Sequence, residues 1–171
     1  MAELEIERNQ WGLALEYTRN ARDKLRTIQN VEGEADTWFT EARALLHMGY
    51  SEKSLDASNY VFELFTTNKN LHRAINAYRH ISKVLMKIGK QEEAGIVLHK
   101  AVDIANQLHL GHEQAMLYLH LSEIELQNQN YEIAKQHGIR ARSISERDGL
   151  DDIINEVDKL FCFNLMNRIN L

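Results

Sequence analysis

The chain has 171 residues, 44% hydrophobic and 26% charged, with a formal net charge of −5. That balance belongs to a folded domain or a short repeat array and excludes a disordered chain. The negative sign excludes a global attraction to nucleic acid, and no run of about 18 apolar residues exists that would span a membrane. Proline is absent and there are only eight glycines, so long helices joined by short connections are expected. The acidic stretch 1–8 has no apolar signal core. The single cysteine, Cys162, cannot form an internal disulfide, which makes the cytoplasm the expected compartment.

From the N-terminus, Ala2, Leu4 and Ile6 fall in register with Ala42, Ala44 and Leu46. Residues 1–30 therefore read as a partial unit: the last turns of one helix, then a helix over 10–28. The chain is expected to be a piece of a longer protein or to have a short first helix. Three full units follow, 31–70, 71–110 and 111–150. Their first helices are predicted over 33–48, 71–88 and 112–128, and their second over 51–66, 91–108 and 131–147. The register is carried by columns that recur every 40 residues: Trp38, Tyr78 and Tyr118; Ala42, Ser82 and Ser122; Ala14, Ser54, Ala94 and Ala134; Ala21, Val61, Ala101 and Ala141. Small residues belong where two helices approach closely, and large ones where they fill the gap between neighbouring pairs. Gly49 and Gly89 suit left-handed helix stops, with Gln129 in the same column. Ile96, Val97, Ala101, Ile104, Ala105 and Leu108 recur at helical spacing and predict one apolar face. Residues 151–171 predict a last helix opened by Asp151 and Asp152, where acidic residues are favoured. Its apolar residues include Ile154, Val157, Leu160, Phe161, Leu165 and Ile169, which make it a capping helix or the first helix of a further unit.

These residues resemble tetratricopeptide repeats. The match is carried by Trp38–Ala42–Gly49 and Tyr78–Ser82–Gly89–Ala94–Ala101; the proline that usually closes each repeat is missing. The repeat of 40 is longer than the usual period of about 34 and is similar to that of peptide-sensing regulators of Gram-positive bacteria and of several signalling adaptors. The resemblance implies an all-α solenoid of helix-turn-helix repeats with a C-terminal capping helix, forming one domain over 1–171. It implies a protein- or peptide-binding scaffold, the interaction or sensory module of a regulatory protein, with the first helices lining a concave groove. By register that groove would hold Phe39, Arg43, His47, Asn76, Arg79, His80, Lys83, Lys87, Met116, Leu119 and His120, with Met86 as a further apolar contact.

Arg43, Arg79, Lys83 and Lys87 make a basic strip inside an acidic chain. Arg79 and Lys83, four apart, share a helix face, which favours an acidic partner or a free C-terminal carboxylate. The plainer reading is a solvated polar face neutralised by Glu41, Asp36 or Glu123. Leu160, Phe161 and Leu165 carry the alternative function, an oligomerisation module and a homodimer contact. His80 and His120 share a column, but no further ligand converges on them for a metal. His112–Glu113 begins like a metalloprotease helix and then has Met116 where the second histidine belongs. Cys162, between Phe161 and Phe163, reads as core rather than as an activated thiolate. With no phosphate loop and no nucleophile elbow, neither enzyme activity nor a cofactor is expected. Arg19, Arg22, Lys24 and Arg26, and later Arg140, Arg142 and Arg147, are interrupted by acids and carry no nucleic-acid recognition motif.

Overall fold

The computed structural model describes residues 10–169, with side chains as far as Cys162. The expected turns holding Ala2, Leu4 and Ile6, and the side chains of Leu165 and Ile169, lie outside the described residues. Among the described residues there are eight helices and no strand: α1 (Trp11–Thr27), α2 (Val31–His47), α3 (Ser51–Thr67), α4 (Leu71–Lys87), α5 (Gln91–Gln107), α6 (Gly111–Gln127), α7 (Tyr131–Asp148) and α8 (Asp151–Ile169).

The helices start at 11, 31, 51, 71, 91, 111, 131 and 151, so the step is 20 and each 40-residue unit is two equal halves. The turns explain the constancy. Gln29, Gly49, Lys69, Gly89, His109, Gln129 and Gly149 all have positive φ. The residue after each donates its amide back into the last helical turn, as in Tyr50 N–H to Leu45 C=O at 2.9 Å and Asn70 N–H to Phe65 C=O at 2.8 Å. This is the Schellman stop, which satisfies carbonyls that a helix end would otherwise leave bare. Helix α2 begins two residues earlier than its apolar pattern predicts because the Asn30 side chain accepts from Gly33 N–H at 2.8 Å, an N-cap.

The chain divides into two compact units, Met1–Ala94 and Gly95–Leu171. In the first, consecutive helices α1 to α4 pack on one another, and α2 also touches α4. Ala14, Ala42, Ser54, Val61 and Ala94 are completely buried. Ser54 Oγ donates to Ala42 C=O at 2.7 Å, tying α3 to α2 at the close approach. In the second unit α6, α7 and α8 pack in the same pairwise manner. Here the roles reverse: Ser122 Oγ on α6 donates to Ala134 C=O on α7 at 2.8 Å. One serine and one alanine suffice at each of these crossings, because a second hydroxyl would need another acceptor.

The aromatic column has equivalent neighbours in both units. Within the first, the Arg22 guanidinium lies 3.4 Å from the Trp38 ring centroid and Phe62 lies 4.2 Å from Tyr78; each partner is 16 positions upstream. Tyr60 meets Trp38 edge-on, 22 positions downstream, and in the second unit Arg140 sits over Tyr118 at that same interval. Helix α8 continues the register. Asp158 takes the aromatic column's place, and Arg142, 16 upstream, pairs with it. Ile153 and Val157 are buried, and Phe161 lies so close to Gly138 that a methyl group there would overlap its ring. The last helix therefore packs as the first helix of a further repeat would.

Two expectations need correction. Ile96 is 57% exposed and Leu108 is also exposed, because on α5 the buried stripe runs through Ala94, Leu98, Ala101, Val102 and Ala105. Cys162 is exposed: one step past Phe161 a helix turns by about 100°, away from Gly138.

Candidate functional site

A cavity of about 180 Å³ in the first unit is lined by Phe39, Arg43, Asn76, Arg79, His80 and Lys83. All six belong to the groove columns read from the sequence, and α2 and α4 supply them. On α4 the four residues Asn76, Arg79, His80 and Lys83 share one face because they are three or four apart. On α2, Phe39 and Arg43 do the same.

Phe39 packs beside the core formed by Ala35, Val61, Phe65, Ala74 and Ala77 and meets His80 edge-on at 5.6 Å between centroids. His80 is buried, and its Nε2 is 3.3 Å from Ser54 Oγ. This serine–histidine contact is not a nucleophile and its base. Ser54 is completely buried and its proton goes to Ala42 C=O at 2.7 Å, so the hydroxyl is not available to attack.

The site is electropositive. Burial lowers the pKa of His80 to about 4; Lys83, Arg43 and His47 push the same way, and the Ala42 carbonyl opposes them. His47 is also lowered, first by burial and then by Lys87, Arg43 and Lys83. Two imidazoles thus report the field of the same cations. His47 lies outside the cavity lining and stacks on Trp11 at 4.2 Å, interplanar angle 4°. Lys87 donates to Leu46 C=O at 2.9 Å, which makes it a C-terminal cap of α2 as well as a source of charge.

Two carboxylates named as neutralising partners have partners of their own. Glu41 pairs with Arg22 at a buried contact and, at 3.9 Å, with Arg19. Asp36 pairs with Arg73, which also bonds Glu32 at 3.0 Å. The remaining predicted groove residues, Met116, Leu119 and His120, lie on α6 in the second unit, where Leu119 is buried and the other two are partly buried.

Sequence reasoning missed the Ser54–His80 contact and the Arg22–Glu41–Thr37 cluster. In the latter, Arg22 Nε donates to Thr37 Oγ1 at 3.2 Å, and Arg22 and Glu41 are both nearly inaccessible. The only available signal was a cation and an acid 19 positions apart, an interval that helical periodicity does not flag. Several cations of the basic clusters weighed for nucleic acid are held by acids: Arg26 by Glu34, Arg142 by Glu146 and Asp158, and Arg147 by Asp148. Among the described residues no group of three or more histidine, cysteine or acidic side chains converges as a metal site, and no helix is long and apolar enough to cross a membrane.

A larger cavity of about 450 Å³ lies in the second unit, lined by residues that include Tyr131, Lys135, Gly138, Ile139, Val157 and Phe161. Among the described residues Phe161 is the predicted contact residue there, and it packs against Gly138 in its own chain. We assign the candidate site to the smaller cavity because Arg43, Arg79 and Lys83 line it with no carboxylate among them, whereas the larger one sets Glu132 and Asp158 beside Lys135 and Arg142.

No family model and no curated protein matches the chain. Solved structures do. The apo form of RapI superposes with a TM-score of 0.79 at 17% identity, over 98% of this chain and 48% of that one. A Rap conjugation gene regulator in complex with a Phr peptide gives 0.71 at 16%, over 83% and 40%. A putative kinesin light chain from Podosopora anserina, with nearly identical TPR-like repeats, gives 0.72 at 14%, over 86% and 73%. The chain thus spans about half or less of the length of the two Rap proteins. The fold of this chain is the tetratricopeptide-like all-α helical repeat.

Proposed function

We propose that this chain is a protein-interaction module, the binding part of a regulatory protein, and that α2 and α4 hold an acidic segment of a peptide or protein partner. The observation that carries this reading is the convergence of Arg43, Arg79 and Lys83 on one cavity beside Phe39 and Asn76. Guanidinium groups bind carboxylates bidentately, Asn76 offers both a donor and an acceptor, and the Phe39 ring gives the partner an apolar contact. The Phr peptide in the neighbouring Rap regulator is consistent with a repeat face that takes a peptide. Binding on this reading is reversible and needs no cofactor.

The test is a pair of charge reversals, Arg79→Glu with Lys83→Glu. An acidic peptide or partner captured by the unaltered chain should bind the double variant at least about tenfold more weakly, or about 1.4 kcal/mol, with the helical circular-dichroism signal unchanged. Undiminished capture by a folded double variant would sink the assignment of this cavity.

A further inference from the structure

The crossing of α7 and α8 differs from its counterparts by one aromatic ring. At the same addresses in the first unit, Arg22 lies over Trp38, 3.4 Å from the ring centroid, and Phe62 lies 4.2 Å from Tyr78. At α7 and α8 those addresses hold Arg142 and Asp158. Gly138 stands where the earlier units have Thr18, Ser58 and Leu98. A short carboxylate in place of a ring, and a glycine in place of a side chain, open the cavity of about 450 Å³ between these helices. That size lies within the range of about 300–1,000 Å³ usual for ligand pockets. Leu126, Val157 and Phe161 give it apolar walls, and Ile139 lines it while 58% exposed. Its charges balance, with Glu132 and Asp158 set against Lys135 and Arg142.

The Arg22 arrangement shows what such a place accepts. The N–H groups of a guanidinium lie in its plane. Arg22 directs its own to Thr37 and Glu41 and turns its face to the Trp38 ring. Arg142 likewise directs its N–H groups to Glu146 and Asp158, and a guanidinium bonded at its edges still stacks on an aromatic face. Balanced charge disfavours an ion, while apolar walls favour a ring. We infer that this cavity is a second binding site, independent of the basic one in the first unit, and that it takes a tryptophan side chain presented by a polypeptide partner. The indole offers a face to Arg142, apolar area to Val157 and Phe161, and a ring N–H to the carboxylate of Asp158, which can accept more than one donor. The guest ring thereby completes the column of Trp38, Tyr78 and Tyr118.

Magnetic-resonance titration of the unaltered chain with blocked acetyl-alanyl-tryptophanyl-alanine amide tests the site. The backbone amides of Gly138, Ile139 and Val157 should shift. The same peptide with leucine in place of tryptophan should bind about tenfold more weakly. Free indole should also bind more weakly than the tryptophanyl peptide, because Ile139 and Tyr131 offer exposed contact beyond the ring. A variant then fills the cavity from within: Asp158→Trp restores the ring of the column. It should weaken the tryptophanyl peptide at least about tenfold, with the helical circular-dichroism signal unchanged. Unshifted α7 and α8 amides in folded unaltered protein, equal binding of the leucyl peptide, or undiminished binding to folded Asp158→Trp would overturn the inference. Free indole binding as tightly as the peptide would overturn the polypeptide source. The peptide comparisons use unaltered protein and so stand whatever that variant's folding. None of these outcomes bears on the first-unit cavity, whose test is the Arg79→Glu with Lys83→Glu variant.

Discussion

The same addresses carry opposite chemistry in the two units. Asn76, Arg79 and Lys83 in the first correspond, 40 positions on, to Met116, Leu119 and Glu123 in the second; Arg22, Thr37 and Glu41 correspond, 80 positions on, to Val102, Leu117 and Leu121. Helix length, turn geometry and small-residue crossings are shared. The backbone plan therefore dictates where a side chain sits without dictating what it is. The second unit fills all of these places except that of Glu123 with apolar groups, which stabilise by burial at about 25 cal/mol per Å². The first fills them with polar and charged groups, which contribute less to stability and more to recognition.

The largest expected break in this comparison is at the buried pair. Glu41→Ala strands the Arg22 guanidinium, whose side chain is 8% exposed, and should cost about 3–5 kcal/mol in urea unfolding. Installing the second unit's own residues, Arg22→Val with Glu41→Leu, should cost far less or even stabilise, since apolar replacement of a buried pair is often neutral to favourable by about 1–4 kcal/mol. If the double swap proves as damaging as the single change, the units are not interchangeable at this address.

Next in size is the pH dependence that His80 gives the first unit. Its pKa falls from 6.5 unfolded to about 4 folded, so between those values the unfolded chain binds more protons. Stability is then full above about pH 6.5 and declines as pH falls to about 4, by roughly 3 kcal/mol at most. His47 and His137 are lowered as well, each first by burial, and add to the same slope. Urea midpoints measured across this window should flatten in His80→Phe; an unchanged slope would remove His80 as its main source.

The smallest effect concerns the turns. Gly89 in the first unit and Gln129 in the second both adopt left-handed backbone, φ 81° and 63°, and only glycine does so without steric cost. Gln129→Gly should raise stability by up to about 1 kcal/mol, and Gly89→Gln should lower it by a similar amount. Thermal melts of the two variants moving in the same direction would show that the turns are not equivalent.

Much of this was legible before any coordinates. The columns through Trp38, Ala42, Ser54 and Val61 identified the repeat, because close helix crossings admit only small side chains and each repeat reuses the same crossing. The grouping of Arg43, Arg79 and Lys83 was expected through the family resemblance, which puts the first helices along one groove. The turns at Gln29, Lys69 and His109 were not, since their left-handed backbone rests on capping hydrogen bonds and no glycine marks them.

The sequence by itself determined the helical repeat, its register and the placement of the basic residues on the first helices, because periodicity is a local property of the chain. Only the tertiary structure decided which acid holds Arg22, which way Ile96 and Cys162 face, and that Ser54 meets both the Ala42 carbonyl and the His80 ring. Those outcomes depend on which partner lies within about 3 Å across a helix crossing, and spacing along a single helix does not encode that distance.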